Sequence, residues 1–325
     1  MKSQILKMLR ESDHYVSGQE LCEKFGVSRT AIWKAINSLK ATGYEIEATP
    51  NKGYYLKEAA DVMNSNELQS IRKTKWIGKE IHYFDKIDST NTKAKELAEQ
   101  GAESGTLIVA DQQVAGKGRR GRSWESPAGS GIFMTILLKP EINPNHASML
   151  TLVTALAVAK ALAEVTGENA QIKWPNDIVV NGKKVCGILT EMSAQFDYIN
   201  HIVIGIGINV HNETFPEEIE KMATSLYLES KKKFHRAEII EKVLEYFENY
   251  YELFLKTEDL SSMVKEYDSL LVNRNANVKV LDLKEPFEGK AKGITATGEL
   301  IVDTWESRKL VSSGEVSVRG IYGYV

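Results

Sequence analysis

The sequence is short of cysteine and has no long uninterrupted apolar run, and each shortage excludes a class of protein. The 325 residues include two cysteines, Cys22 and Cys186, in apolar segments, which predicts reduced core thiols and excludes a disulfide framework. The most apolar segment, Met149 to Val165, contains threonine, lysine and glutamate and is too short to span a bilayer, so a buried helix is predicted. The first residues, MKSQILKMLR, run directly into polar sequence and predict no signal peptide. We therefore expect a cytoplasmic protein with no membrane partner.

The net charge is also small, since 41 Lys and Arg nearly balance 44 Asp and Glu and leave a formal charge of -3. Charged and hydrophobic fractions of 26% and 42% are typical of a globular chain, and the length is sufficient for two or three domains. The charge is uneven, because residues 1–57 carry nine basic and six acidic side chains. A mildly basic first domain suits a polyanion partner but does not establish one.

The first sixty residues have the pattern of a helix, a helix pair and a hairpin. Helical spacing of apolar residues predicts three helices, at Met1–Glu11, Gly18–Phe25 and Arg29–Ala41. Ser17 and Ser28 stand at the N-cap positions of the last two, and glycines follow both. The apolar side of the third helix is predicted to comprise Ile32, Trp33, Ile36 and Leu39. The run YEIEATPNKGYYL then predicts two strands around a turn.

This order resembles a winged helix-turn-helix, and we predict a DNA-binding domain at residues 1–63. The alternative is a small helical module that binds protein. DNA binding is favoured because polar and basic residues lie near the start of the second helix of the pair, where such a helix meets bases and phosphates. The candidate contacts, within the helix pair 18–41, are Ser28, Arg29, Thr30 and Lys34.

Beyond a polar segment at 58–66, interpreted as a linker, strand and helix patterns alternate. Strands are predicted at Ile81–Ile87, Thr106–Gln113, Ile132–Leu138, Gln171–Trp174, Ile178–Val180, Val185–Met192 and His201–Asn209, and helices at Thr90–Gln100, 147–166 and Arg236–Leu255. This pattern predicts a mixed α/β domain with one central sheet, at residues 64–272. Short alternating strands with glycine turns then predict a small β-barrel at 273–325, so the fold class is α+β and multidomain.

The segment Gly116–Phe133, GKGRRGRSWESPAGSGIF, combines five glycines with four basic side chains. Its glycines match the dinucleotide fingerprint and nearly match a phosphate-binding P-loop, but both motifs need a helix directly afterwards. Pro127, Gly129 and Gly131 exclude that helix, and a strand pattern follows. The remaining interpretations are an idle solvated loop and a mobile loop that closes over an anion. The second is favoured because bare backbone and guanidinium groups both bind phosphate and carboxylate.

Four further motifs give the chain a family resemblance. They are DSTN at Asp88–Asn91, KWPND at Lys173–Asp177, GKKVCGIL at Gly182–Leu189 and GIGIN at Gly205–Asn209. With the basic loop and Gln113, their order and spacing resemble the biotin–protein ligases. With the N-terminal winged helix, the whole chain is similar to the bacterial bifunctional type, a ligase that is also the biotin operon repressor.

The resemblance implies a fold, a reaction and partners. The central domain would be of the biotin/lipoate ligase type and the last domain an SH3-like β-barrel. The enzyme would convert biotin and ATP, with Mg²⁺, to biotinyl-5'-AMP, and transfer biotin to a lysine of the carrier domain of acetyl-CoA carboxylase or a related carboxylase. Operator DNA and a homodimer formed with bound biotinyl-AMP are the other implied partners. The basic loop would be disordered in the empty enzyme and would shield the mixed anhydride from water when ordered.

The resemblance also implies site residues. The catalytic set is Lys184, Arg119 and Asp177. Biotin would be bound by Ser89, Thr90, Asn91, Gln113, Arg119, Arg120, Gly121, Lys184, Gly187, Gly205 and Gly207. ATP and the adenylate would be bound by Lys117, Arg119, Arg122, Trp124, Asn176, Lys184, Asn209, Lys279 and Arg319. No magnesium ligand is assigned, although Asp177 is the candidate. Lys117 stands where arginine is usual, which removes a bidentate contact but keeps the charge.

Each motif has an ordinary structural alternative. DSTN is also an N-cap sequence, Lys184 is also a turn lysine, Trp124 is also a core tryptophan, and the glycines also suit β-bulges. At the level of function, the alternatives are a ligand-sensing repressor that has lost catalysis and a lipoate-type ligase. The intact catalytic set argues against the first, and the complete basic loop with KWPND argues against the second.

Overall fold

A computed structural model describes residues 1–57, 61–281, 285–313, 317–320 and 324–325. The chain forms two compact units, Met1–Lys73 with His235–Glu241, and Thr74–Phe234 with Lys242–Val325. The domain boundaries placed after residues 63 and 272 stay predictions.

The N-terminal unit contains the expected helix pair and hairpin. Its elements are α1 (Lys2–Arg10), α2 (Gly18–Phe25), α3 (Arg29–Ala41), β1 (Ile46–Thr49), β2 (Gly53–Leu56) and α4 (Ser65–Ile71). The serine caps are confirmed, because Ser17 Oγ accepts from the Glu20 amide at 3.0 Å and Ser28 Oγ from the Ala31 amide at 3.3 Å. Gly26 ends α2 at φ 64°, a left-handed conformation that glycine adopts without strain. Capping chemistry therefore sets the bounds of both helices.

Two sequence interpretations in this unit are wrong. Trp33 does not lie on the apolar side of α3; it is 57% exposed, whereas Ile32 and Ile36 are buried. The predicted linker is wrong at its end, where α4 begins after an Asn64 cap, and its first residues, 58–60, lie outside the described part of the chain. Helix α4 is stabilised through the buried Glu67 carboxylate, which accepts hydrogen bonds from Arg10 at 2.8 Å and from the Tyr44 hydroxyl at 2.8 Å.

The second unit is built on a mixed seven-stranded sheet, as the sequence predicted. Its strands are β3 (Ile81–Phe84), β4 (Leu107–Ala110), β5 (Gly131–Leu138), β6 (Gln171–Lys173), β7 (Asp177–Val180), β8 (Lys183–Ala194) and β9 (Ile199–Asn209). The spatial order is β3-β4-β5-β9-β8-β7-β6. Strands β3 and β4 are parallel, and the other neighbours are antiparallel. The two longest strands, β8 and β9, lie side by side in the middle of the sheet.

Helices α5 (Thr90–Glu99) and α6 (Met149–Thr166) pack on this sheet. The helices that follow along the chain are α7 (Glu217–Glu220), α8 (Leu226–Ser230), α9 (Arg236–Thr257), whose first residues belong to the N-terminal unit, and α10 (Val264–Leu270), which contacts β6. Helix α6 is long and apolar enough to cross a membrane by composition alone. Most of its residues are buried within the protein, however, which confirms the predicted core helix.

The C-terminal residues form a separate five-stranded antiparallel sheet within the second unit. Its strands are β10 (Asn277–Leu281), β11 (Phe287–Ile294), β12 (Leu300–Asp303), β13 (Arg308–Val311) and β14 (Ser317–Gly320). Their order is β13-β12-β11-β10-β14. An all-β C-terminal part is thus confirmed, while closure of this sheet into a barrel stays a prediction.

Candidate active site

The floor of the site is made by the glycines of β8 and β9 and the first turn of α5. A Cβ atom on Gly205 would lie 2.3 Å from Asn91 Oδ1, and one on Gly207 would lie 2.6 Å from the Trp124 ring. Both separations are too short for real atoms, so these positions need glycine for close packing over the sheet. In register, Gly207 lies opposite Gly187 on β8, whose added Cβ would also meet Trp124, at 2.8 Å.

A polar network holds the first turn of α5 in place. Ser89 occupies the N-cap position, but its hydroxyl makes no capping hydrogen bond; instead Gln113 Oε1 accepts from the Thr90 amide at 2.8 Å. Thr135 donates to Asn91 Oδ1 at 2.7 Å, and the Asn91 amide donates to Glu191 at 2.8 Å. The site side of α5 is therefore fixed by side chains from two strands, β5 and β8, and from the loop that carries Gln113. This arrangement leaves the buried Ser89 hydroxyl in the cavity wall.

The basic loop has a defined conformation at the site, and its ordering by the adenylate stays a prediction. The backbones of Lys117 and Ser123 pair as an isolated antiparallel β-bridge. Between them, a short 3-10 turn at Arg119–Gly121 reverses the direction of the chain. Arg120 has φ 58°, a left-handed conformation that is unusual outside glycine. No helix follows the glycines, and β5 begins at Gly131, which confirms that this segment is neither a dinucleotide fingerprint nor a P-loop.

Arg119 connects the loop to two other segments of the site. One guanidinium nitrogen donates to Asn176 Oδ1 at 2.8 Å and the other to the Ser313 carbonyl at 2.8 Å. Burial lowers the pKa of Arg119, and the charge of Asp177 opposes this shift. A half-buried guanidinium between the loop and the KWPND turn is suited to binding an anion at this point.

The charged centre of the site is an ion pair between Lys184 and Asp177. Lys184 Nζ lies 2.7 Å from Asp177 Oδ1. Burial acts to raise the pKa of Asp177, but the charges of Lys184 and Lys173 outweigh it, so its pKa lies below the ordinary value. Burial lowers the pKa of Lys173 to about 8, against the attraction of Asp177. The site therefore holds an ionised carboxylate beneath a group of cations.

Two adjoining cavities meet at this charged centre. The smaller one measures about 50 Å³ and the larger one about 430 Å³. Among the predicted biotin residues, the smaller cavity is lined by Ser89, Thr90, Asn91, Gln113, Arg119, Lys184, Gly187, Gly205 and Gly207, and also by Lys117. Among the predicted ATP residues, the larger one is lined by Arg119, Arg122, Trp124, Asn176, Lys184, Asn209 and Arg319, and also by Arg120 and Asp177. Lys184, Arg119, Asn176 and Trp124 line both.

Two predicted residues are not brought to these cavities. Lys279 is an exposed residue of β10 whose ammonium lies 3.7 Å from Glu288, and it lines neither cavity. Gly121 closes the turn of the basic loop at φ 70° and also lines neither. Its contribution is therefore the backbone conformation of the loop, not a contact with the cavity walls.

Sequence reasoning assigned no role to several residues that the fold places in the larger cavity. They are Lys173 and Tyr324, together with the apolar wall formed by Phe215, Pro216, Ile219, Met222 and Ala223. Lys173 stands in the KWPND motif, which was the signal available. No sequence signal marked the apolar wall or Tyr324, because these residues lie in segments outside every motif.

A magnesium ion at this site would have few protein ligands. Within the described residues, no group of three or more His, Cys, Asp and Glu side chains is placed to hold a metal ion. The carboxylates along the larger cavity are Glu125, Asp177 and Glu218. Since Mg²⁺ is typically held by one or two carboxylates together with substrate phosphates, the site suits a metal that arrives with ATP but not a dedicated protein cage.

Comparison with known protein families divides the chain into an N-terminal, a central and a C-terminal part, in the order that the sequence predicted. The biotin/lipoate A/B protein ligase family matches residues 83–209, a helix-turn-helix domain family matches residues 2–55, and the biotin protein ligase C-terminal domain family matches residues 275–319. A solved structure, the biotin protein ligase from Aquifex aeolicus in complex with biotin and ATP, is similar with a TM-score of 0.66 and 34% identity. That match covers 74% of this chain and 99% of the other.

Full-length relatives share both the ligase and the DNA-binding parts. The bifunctional ligase/repressor BirA of Bacillus spizizenii is 39% identical, over 98% of this chain and all of the relative. The protein of the same name from Escherichia coli is 29% identical, over 96% of this chain and 95% of the relative. By this full-length similarity and the three matched domain families, the chain belongs to the family of biotin–protein ligases of the bifunctional ligase/repressor type.

Proposed function

We propose that the protein activates biotin with ATP to biotinyl-5'-AMP, transfers the biotinyl group to a lysine of a carboxylase carrier domain, and represses transcription when it holds the adenylate. The observation that carries the proposal is the position of Lys184 and Arg119, which line both cavities above Asp177. A carboxylate in the smaller cavity and an α-phosphate in the larger one would meet at these two cations. The assignments of individual residues that follow are part of the proposal.

In the first step, a biotin carboxylate oxygen attacks the α-phosphorus of ATP and pyrophosphate leaves. Two anions must approach each other, so the barrier depends on fixed positive charge at their meeting point. Lys184 and Arg119 supply this charge. Lys173 and Arg319, in the wall of the larger cavity, provide further charge for the departing phosphates. Ser89, Thr90, Asn91 and Gln113 would position the biotin head group over the glycines of the floor.

In the second step, the lysine amine of the carrier attacks the acyl carbon, AMP leaves, and the amine loses a proton. Asp177 is the buried carboxylate near the meeting point and would orient the amine. The basic loop, held through Arg119, covers the adenylate until the carrier arrives, because water would otherwise hydrolyse the mixed anhydride. Mg²⁺, when bound with ATP, would neutralise phosphate charge, with Asp177 as the candidate protein ligand.

The N-terminal unit supplies the repressor activity. Ser28, Arg29, Thr30 and Lys34 are all exposed on or beside the start of α3, and Ser28 also serves as its cap. A single winged helix offers few contacts for tight specific binding, so we propose a dimer on an operator with two half-sites. Strand β8 offers an edge for it, since β7 pairs with β8 only at Lys183–Gly187 and no described strand continues the pairing to Ala194.

The test of the ligase is incubation with ATP, Mg²⁺ and a biotin carrier domain, in parallel with labelled biotin and labelled lipoate. We expect a mass increase of one biotinyl group on one carrier lysine, dependent on ATP. Modification by lipoate alone would instead assign the lipoate-type reaction. Operator binding without any acyl transfer would identify a repressor that has lost catalysis.

The test of the regulated repressor is sedimentation and operator binding of one sample in three states: without ligand, with biotin, and with biotin and ATP. Self-association and operator affinity should both rise in the third state. The physical reason is that ordering of the basic loop by the adenylate meets part of the entropy cost of association beforehand. Equal values in all three states would leave an unregulated DNA binder or a protein-interaction module.

A further inference from the structure

Tyr324 lies in the wall of the larger cavity, far in sequence from every motif of the site. Its hydroxyl donates a hydrogen bond to Asp177 Oδ2 at 2.5 Å. Its ring lies beside Lys173, whose ammonium is 4.0 Å from the ring centroid. A residue of the C-terminal part of the chain therefore contacts both charged members of the KWPND motif.

The two oxygens of the Asp177 carboxylate accept hydrogen bonds from different partners. Oδ1 accepts from Lys184 at 2.7 Å and from the Asn176 amide at 3.1 Å, whereas Oδ2 accepts from Tyr324. When substrate anions are bound, Lys184 divides its three N–H donors between them and Asp177, so its contact with Oδ1 becomes weaker. A buried carboxylate that loses a charged donor needs another strong one, or it rotates toward whatever donor remains.

Tyr324 is suited to be that lasting donor. A phenol hydroxyl has one proton to donate, and Tyr324 gives it to Asp177 Oδ2 and not to Lys184 or the substrate. The contact of its ring with Lys173 is an attractive cation–π arrangement that limits rotation of the side chain. The hydroxyl is thus held in place by a contact that does not involve Asp177.

We propose that Tyr324 is a positioning residue of the ligase site, whose hydroxyl keeps Asp177 in its working orientation when the contact of Lys184 with the carboxylate becomes weaker. The proposal rests on the ligase function given above. Its consequence is that the second step, in which Asp177 faces the carrier amine, depends on the hydroxyl more strongly than substrate binding does.

The test compares the unmodified protein with Tyr324→Phe, both full-length; the variant keeps the ring and loses the hydroxyl. The matched control is Tyr246→Phe, because the Tyr246 hydroxyl also donates to a carboxylate, that of Glu164, at 2.5 Å but lines neither cavity. Single-turnover transfer from preformed biotinyl-adenylate to the carrier lysine should fall by roughly tenfold or more in Tyr324→Phe, the loss expected for a hydrogen bond to a charged group. KM for biotin, which binds in the cavity that Tyr324 does not line, should not change, and Tyr246→Phe should transfer at the original rate.

A double variant separates positioning from a general effect on the fold. If the hydroxyl acts through the carboxylate, Tyr324→Phe should cause no further loss of transfer in an Asp177→Asn background. Transfer at the original rate in Tyr324→Phe would overturn the proposal, as would losses that multiply in the double variant. A loss matched by a lower unfolding temperature than that of Tyr246→Phe would also overturn it. Failure of the unmodified protein to ligate biotin would instead contradict the ligase function itself.

Discussion

At the scale of single residues, Lys184 has two tasks that compete. It neutralises Asp177 at 2.7 Å, and it lines both cavities where the carboxylate and phosphate must meet. Lys184→Ala should lower biotin-dependent adenylate formation by roughly 10² or more, because it removes a cation from the charged transition state. Pyrophosphate release measures this step. The control is Lys183→Ala on the same strand, since Lys183 is exposed and lines neither cavity. Pyrophosphate release near the original rate in Lys184→Ala would contradict the role of Lys184 in adenylate formation.

Trp33 gives a second prediction at this scale. An indole that is 57% exposed on α3, beside Arg29, Thr30 and Lys34, has no packing task in the described core, and an apolar side chain there suits contact with thymine methyl groups. Trp33→Ala should lower operator affinity by roughly tenfold, a cost typical of one base contact, and leave ligation unchanged. Trp305→Ala, at a fully exposed tryptophan outside the N-terminal unit, is the control. Unchanged operator binding in Trp33→Ala would show that this side chain stays outside the groove.

Residues of the site were predictable from sequence where a motif carried them. DSTN, the basic loop, KWPND, Gly187 and the GIGIN glycines all come to one place. Tyr324 was not predictable, because 147 residues separate it from Asp177 and only the fold brings them together. Lys279 is the opposite case, because the family resemblance implied a phosphate contact, whereas alternation along β10 leaves it exposed beside Glu288 and outside both cavities. Its role in ATP binding stays a prediction.

At the scale of elements, one side chain of the basic loop connects it with two other segments of the site. Arg119 bonds to Asn176 and to the Ser313 carbonyl, each at 2.8 Å. Arg119→Gly should weaken retention of the adenylate more than its formation, because the loop loses both attachments while Lys184 remains. Released adenylate should then label bystander lysines, which mass spectrometry of an added unrelated protein detects. Arg274→Gly, in an exposed turn, should not label bystanders; labelling confined to the carrier in Arg119→Gly would exclude Arg119 from closure.

Elements were predictable to within a residue or two where local chemistry marks their ends. Serine caps and a glycine stop fix α2 and α3, and apolar runs fix β5 and β9. Helix α4 was missed because its sequence is short and polar, and its stability comes from Glu67 reaching Arg10 and Tyr44 across the N-terminal unit. Such tertiary support leaves no periodic pattern in the sequence.

At the scale of the whole molecule, the two activities should separate. A fragment that begins at Asn64 should ligate biotin and lose specific operator binding, because it lacks α1–α3 and the hairpin. The structure adds a second fragment, from Thr74, since α4 packs within the N-terminal unit. Ligation by both fragments is the expected outcome, measured with a carrier domain. Loss of ligation in a fragment shown to be folded by circular dichroism would mean that the N-terminal unit completes the active site.

The position of Trp124 should make the intrinsic fluorescence of the protein sensitive to ligand binding. Its indole lies over Gly187 and Gly207 and lines both cavities, and within the described structure its buried N–H has no hydrogen-bond acceptor. A ligand in the smaller cavity, where 50 Å³ holds only a few waters, would lie against this ring and change the polarity around it. Tryptophan emission would therefore follow occupancy of the site in real time, without any attached dye.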